Sequence, residues 1–269
     1  MNDVSFGQYY PASSFIHKCD PRTKILFLIA FIVAVFISDT FYALGACAFL
    51  FVLVAAFSKV PVKSLLKSVK AILFLLAFTA FLNLFFYSGK TVLASWWIFT
   101  ITKEGLIYAA FLAVRLFLLV LASTLLTLTT SPVSLTDGIE SLLYPLKLIR
   151  FPVHELALIM SIALRFIPIL TDETSRIMNA QKARGADFET GGLIKRVKAV
   201  LPVLIPLIIS AVRRADELGD AMDARCYSGG KRTKYKKLTF AWRDLIAFLL
   251  VALLVTGVIL LKVYLPAVV

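Results

Sequence analysis

Five long apolar runs dictate what this chain can become: Ile25 to Ser38, Phe41 to Phe57, Ile72 to Tyr87, Leu106 to Leu128 and Leu245 to Val263. A helix rises about 1.5 Å per residue, so each run crosses or nearly crosses a hydrocarbon core of about 30 Å, the shorter ones by recruiting flanking residues. Hydrophobic residues make up 60% of the 269, above the roughly 45–50% of a soluble globular domain. The expected fold is an all-α integral membrane protein with about five transmembrane helices. Ala43, Gly45, Ala46 and Ala48 in the second run leave room for a close neighbour. The 22 phenylalanines are lipid-facing and packing material.

Charge orients the runs. The formal net charge is +13, and cytoplasmic loops of membrane proteins collect Lys and Arg, so nucleic acid is not needed to explain it. Lys18, Arg22 and Lys24 precede the first run, and Lys59, Lys63, Lys67 and Lys70 follow the second. Only Lys90 and Lys103 follow the third, with Trp96 and Trp97 placed like interfacial anchors. The stretch after the fourth is again basic and ends in Lys231-Arg232-Thr233-Lys234-Tyr235-Lys236-Lys237. Five crossings in the cell membrane, N-terminus cytoplasmic and C-terminus extracytoplasmic, satisfy the rule at every link. The polar start lacks a small-residue cleavage site, so no removable signal peptide is expected.

Three regions follow: 1–128 with four membrane helices, 129–237 as a cytoplasmic part of three amphipathic helices, and 238–269 with the last membrane helix. In the middle region Ser131-Pro132 reads as an N-cap and N1 proline opening a helix through Val133, Leu135, Ile139, Leu142 and Leu146. A second helix runs from near His154 to Arg184 and a third from about Leu193 to Arg225. Both start apolar almost all round and end charged. Their apolar halves, Leu156 to Leu170 and Val197 to Val212, read alternatively as two more crossings, giving seven. Against that stand Arg165 and Pro168 in one, Pro202 and Pro206 in the other, and a basic segment between them that would face outward.

The two long helices end alike: Asn179-Ala-Gln-Lys-Ala-Arg184 and Asp220-Ala-Met-Asp-Ala-Arg225, followed by Gly185 and Cys226. Singly, a last-turn arginine before glycine is ordinary, since the cation suits the helix dipole and the glycine suits a left-handed cap. As a pair they suggest two matched contacts with a paired target. Ala183 and Gly185, or Ala224 and Cys226, let each end enter a groove while Arg184 or Arg225 reaches a carboxylate.

Several of these stretches resemble the transmembrane T components of energy-coupling factor (ECF) transporters. They are Asp20-Pro21-Arg22-Thr23-Lys24, Thr129-Thr130-Ser131-Pro132, Arg165-Phe166-Ile167-Pro168, Ala180-Gln181-Lys182-Ala183-Arg184-Gly185 and Ala224-Arg225-Cys226-Tyr227. The resemblance covers essentially the whole chain; the second arginine motif departs from Ala-Arg-Gly at Cys226. It implies a non-catalytic scaffold of an ATP-binding-cassette importer, with vitamins as the expected cargo and metal ions also carried in the class. Arg184 and Arg225, with Ala183, Gly185, Ala224 and Cys226, would seat on two ATPase subunits. The apolar halves, at positions such as Leu164, Ile167, Leu201, Leu204 and Ile208, would hold a small membrane substrate-binding subunit. Asp20 and Arg22 are candidates by the same motif.

No cofactor or metal is expected: Cys19, Cys47, Cys226, His17 and His154 are scattered without ligand spacing. ATP hydrolysis by the chain itself is not expected either, because Ser228-Gly229-Gly230-Lys231 has Arg225 and Arg232 where a Walker A loop needs Gly and Ser/Thr. Arg115, midway along the fourth run, is a functional candidate by its depth; its structural alternative is a tie to carbonyls or Asn83 of a neighbouring helix. Two other classes remain open. A lipid-modifying membrane enzyme would need convergent carboxylates or histidines near the bilayer, and a self-contained transporter would need broken helices in two matched halves.

Overall fold

A computed structural model describes residues 9–86, 91–96, 99–149, 151–188, 192–228 and 240–264. It is built from eight α-helices: α1 (Pro21–Ile37), α2 (Phe41–Ser58), α3 (Val62–Phe86), α4 (Lys103–Thr129), α5 (Pro132–Leu143), α6 (Val153–Ala183), α7 (Leu193–Asp223) and α8 (Trp242–Tyr264). A 3₁₀ turn, Tyr144–Ile149, lies between α5 and α6. The all-α membrane architecture read from the apolar runs is present. One addition is a short antiparallel hairpin, β1 (Val92–Trp96) with β2 (Phe99–Thr102), whose register pairs Trp96 with Phe99. Trp97, proposed above as an anchor, lies outside the described residues, as do Lys90, Thr190, Gly229, Gly230 and Lys231 to Lys237.

Among the described residues, four helices are long and apolar enough to cross a membrane: α2, α4, α6 and α8. Counting α3 makes five; it bends by 59° between Val62–Lys70 and Ile72–Phe85. The bend falls where the lysines stop. Lys63, Lys67 and Lys70 are exposed along the first piece while Leu65 and Val69 are buried, the pattern of a helix lying at an interface. The set differs from the five apolar runs at two places. By composition α6 qualifies, although it carries Arg165, and α1 with its 17 residues is only about 26 Å long.

The chain divides into two compact units, one of Met1–Leu143 with Leu238–Val269, the other of Tyr144–Lys237. The core of the first is made by α1, α2, α3, α4 and α8 around Phe31, Val35, Leu44, Cys47, Phe111 and Val258. Small residues bring α1 and α2 together, Ala34, Ala43 and Cys47 being fully buried there. α5 lies against α1, and Gly138 is the reason it can: a Cβ there would meet Pro21 Cβ at 3.0 Å and Pro21 backbone carbon at 3.3 Å.

The ends of the apolar helices are tied by polar groups. Asp20 caps α1 by accepting the Arg22 N–H at 2.9 Å, and the Thr40 and Thr102 hydroxyls accept N–H groups at the starts of α2 and α4. Asp244, in the first turn of α8, is 1% exposed. Its Oδ1 accepts the Asp20 N–H at 2.9 Å and the Thr23 hydroxyl at 2.8 Å, and its Oδ2 accepts the Ala241 N–H at 2.8 Å. At the other end of the bundle, Arg115 Nη2 of α4 donates to the Ser38 carbonyl in the α1–α2 link and lies 3.9 Å from Asp39. Asp39 also pairs with Lys262 of α8 at 2.7 Å.

Asp244→Ala leaves the Asp20 and Ala241 N–H groups without their acceptor, each costing about 1–3 kcal/mol, while the Thr23 hydroxyl keeps the Asp20 carbonyl at 2.7 Å. The variant is expected to lose about 2 kcal/mol or more of stability in detergent, and Asp244→Asn less, because it keeps one oxygen. Thermal unfolding followed by circular dichroism checks the order; equal stability of Asp244→Ala and wild type would refute the role.

Candidate functional site

The second unit holds the 3₁₀ turn and two helices of 31 residues each, α6 and α7, in contact with one another. Between them lies a cleft of about 360 Å³ lined by Ile162, Phe166 and Leu170 of α6 and by Ala211, Ala215, Leu218 and Met222 of α7. Ala211, Ala215 and Gly219 recur at i, i+4 and i+8, a row of small side chains along the α7 wall of this cleft; Ala215 and Gly219 are exposed, and a Cβ on Gly219 would meet nothing within 4 Å. Glu173 and Arg214 join them with an ion pair of 3.5 Å, half-exposed on both sides, which contributes about 0.2–1 kcal/mol. Neither the small-residue row nor this pair was singled out from the sequence. The row was legible as a period of four; the pair was not, since its partners lie 41 positions apart.

Each helix is interrupted in its apolar half. Pro168 removes the N–H that would bond the Leu164 carbonyl, and Pro202 and Pro206 do the same for the carbonyls of Lys198 and Pro202. Leu164 and Ile167 are half-buried, whereas Leu201, Leu204 and Ile208 are exposed. Ile205, Ile209 and Val212 are exposed too, so the apolar surface of α7 is wider than the three positions named from the sequence.

Both helices close in the same way. After Arg184, Gly185 turns left-handed at φ +87°; its N–H bonds the Lys182 carbonyl and the Ala186 N–H bonds the Gln181 carbonyl, each at 3.0 Å. After Arg225, Cys226 adopts φ +56°; its N–H bonds the Asp223 carbonyl at 2.8 Å and the Tyr227 N–H bonds the Met222 carbonyl at 3.0 Å. These are two Schellman motifs with an arginine at the same position in each. The departure at Cys226 therefore leaves the backbone path unchanged and adds the strain of a left-handed residue with a Cβ. Ala183, Arg184, Gly185, Ala224, Arg225 and Cys226 are all exposed. Among the described residues neither guanidinium makes a hydrogen bond or ion pair. Chemically, each end offers a planar, permanently charged fork on a rigid support, suited to carboxylate acceptors on another surface.

The remaining candidates lie in the first unit. Asp20 and Arg22 sit at the start of α1, with Arg22 over the Phe240 ring at 5.5 Å. Arg115 ties the Ser38 carbonyl, while Asn83 donates to the Thr79 carbonyl of its own helix at 2.8 Å. Asp244 was not singled out from the sequence; an acid in a first helical turn reads as dipole compensation.

A bundle of membrane helices joined to two long helices that run from apolar to charged and end in matched arginines is a multi-pass membrane protein with a surface for partners. Comparison with known proteins gives the family. The cobalt transport protein (CbiQ) family model matches residues 12–235. The energy-coupling factor transporter transmembrane protein EcfT of Ruminiclostridium cellulolyticum is 47% identical over 263 residues, 97% of this chain and 98% of the relative. The proteins of the same name from Clostridium kluyveri and Bacillus subtilis are 48% and 42% identical, covering 98% and 91% of this chain and 98% and 92% of their own lengths. The chain belongs to the family of transmembrane components of energy-coupling factor transporters.

The two caps yield a paired expectation. Nothing lies within 4 Å of a Cβ built on Gly185, so Gly185→Ala costs only backbone strain, about 1–2 kcal/mol. Cys226→Gly relieves that strain and stabilises its cap by a fraction of a kcal/mol. Amide hydrogen exchange at Ala186 and Tyr227, the N–H groups that close the two caps, checks both: protection should fall in the first variant and rise in the second.

Proposed function

We propose that the chain is the coupling scaffold of an ATP-driven importer and is itself non-catalytic. Arg184 and Arg225 seat on two ATP-binding-cassette ATPase subunits, with Ala183, Gly185, Ala224 and Cys226 allowing each helix end into its groove. The apolar halves of α6 and α7, through Leu164, Ile167, Leu201, Leu204 and Ile208, hold a separate small membrane subunit that binds the substrate, a vitamin. Closure of the ATPases on ATP moves the two helices, and their packing on each other, with the Glu173–Arg214 ion pair between them, passes that motion on. In this reading 129–237 is cytoplasmic, the N-terminus lies inside and the C-terminus outside.

The observation that carries the reading is the matched pair of Schellman ends, each presenting an exposed arginine with no partner among the described residues. One such fork is the capping residue of a helix. Two, on helices in contact, fit a twofold-related pair of receptors.

Arg184→Ala and Arg225→Ala are each expected to weaken ATPase binding by about 2 kcal/mol, roughly thirtyfold, and the double change to abolish co-purification. Cys226 supplies a second readout, since Cys19 and Cys47 are buried and Cys226 is exposed. A membrane-impermeant maleimide should reach Cys226 from the cytoplasmic face only, and bound ATPase should protect it. Labelling from outside intact cells, or full ATPase recovery with the double variant, would overturn the proposal.

A further inference from the structure

We propose that the first unit holds an anionic phospholipid, one acyl chain lying in a groove between α1, α2, α4 and α8 and its headgroup phosphate resting on Lys24 and Arg243. The groove has a volume of about 460 Å³, within the roughly 300–1,000 Å³ range of ligand sites. Its walls include Phe27, Phe31, Phe51, Leu125 and Leu250, and its depth from Thr23 to Phe31 is about 12 Å at the helical rise. Phe31 forms part of the core, whereas Phe15 and Phe57 are exposed and mark the mouth. A narrow, apolar slot in a membrane protein suits a hydrocarbon tail better than any polar solute.

Charge chooses the headgroup. The polar end of the groove is the first turn of α1 and the last turn of α4, with Thr23, Lys24 and Thr129 in its lining. Lys24 Nζ donates to the His17 carbonyl at 3.3 Å and the Thr129 carbonyl at 3.0 Å. An ammonium has three N–H donors, so one remains. Arg243 lies over the ring of Phe15, 5.7 Å from its centre. Among the described residues neither cation has a salt bridge. Two carboxylates lie nearby without forming a contact ion pair with either cation: Asp244 accepts three hydrogen bonds, and Asp20 Oδ1 accepts the Arg22 N–H and lies 3.9 Å from Arg22 Nε. Asp20 Oδ2 is buried without a partner. A basic end on an apolar slot between membrane helices is complementary to a phosphate ester with a tail.

The test uses the full-length chain in nanodiscs of equimolar dioleoyl phosphatidylglycerol and dioleoyl phosphatidylcholine, released into mild detergent and weighed by native mass spectrometry. One retained lipid per chain is expected, phosphatidylglycerol in preference. Lys24→Gln and Arg243→Gln should each lower the glycerol-to-choline ratio about fivefold, the equivalent of about 1 kcal/mol per cation. Ala122→Phe, which fills the groove, should abolish retention while helical content stays. Since Lys24 also ties two carbonyls, the half-exposed Arg243 is the variant that keeps the test decisive. A ratio of one in the wild type, an unchanged ratio in Arg243→Gln, or undiminished retention in a folded Ala122→Phe would overturn the proposal.

Discussion

The membrane unit depends on one buried carboxylate. α8 comes from the far end of the sequence, and apolar packing alone leaves its position along α1 poorly fixed, because a lipid-like face slides against another at little cost. Asp244 fixes it. Its two oxygens take the N–H and hydroxyl of Asp20 and Thr23, which begin α1, and the N–H of Ala241, which begins α8. A charge 1% exposed is tolerable only because three donors converge on it. At the opposite end Arg115, Asp39 and Lys262 play the complementary part with permanent charges nearer to solvent. The first and last membrane helices are thus pinned at both ends, while the middle of the bundle is left to Phe31, Cys47 and Val258.

That arrangement gives the Asp-Pro-Arg-Thr-Lys stretch a structural meaning. Asp20 and Thr23 meet Asp244, Pro21 fits the first turn and packs on Gly138 of α5, Arg22 lies over Phe240, and Lys24 ties the end of α4. Between them five consecutive residues reach four parts of the unit, at Asp244, Gly138, Phe240 and Thr129. Substituting one of them alters a junction of helices rather than a catalytic group.

What the sequence conveyed, and what it could not, divides along physical lines. Apolar length, the clustering of lysines and the arginine–glycine ending are local patterns, and the helices, the α3 start of its apolar piece at Ile72 and the end of α6 followed from them. Asp244 was hidden because two of its three partners, Asp20 and Thr23, lie more than 220 positions away, and Glu173 with Arg214 because they too are far apart in the chain. The hairpin at Val92–Thr102 was missed because a short link with few charges resembles any loop. Cys226 shows the limit from the other side. Gly at that position would announce the left-handed cap, yet the hydrogen-bond pattern is formed without it, so a sequence departure did not become a structural one.

The second unit poses an energetic problem that its own residues do not solve. Of its apolar side chains, Val153, Ala157 and Val203 are buried, while Leu201, Leu204, Ile205, Ile208, Ile209 and Val212 are exposed on α7 alone. A contiguous apolar face of that extent is uncommon on a surface bathed in water and marks contact with lipid or protein. Crossing the bilayer is a poor solution for α7. Its uncharged stretch from residue 199 to 212 spans about 21 Å, shorter than the hydrocarbon core, and Lys198 and Arg213 bracket it. A helix too short to span and too apolar for water is stable where one side meets an apolar partner and its charged end meets a polar one. That is the physical requirement to which the proposed coupling role answers, with an apolar partner on one side of α7 and a polar one at its charged end.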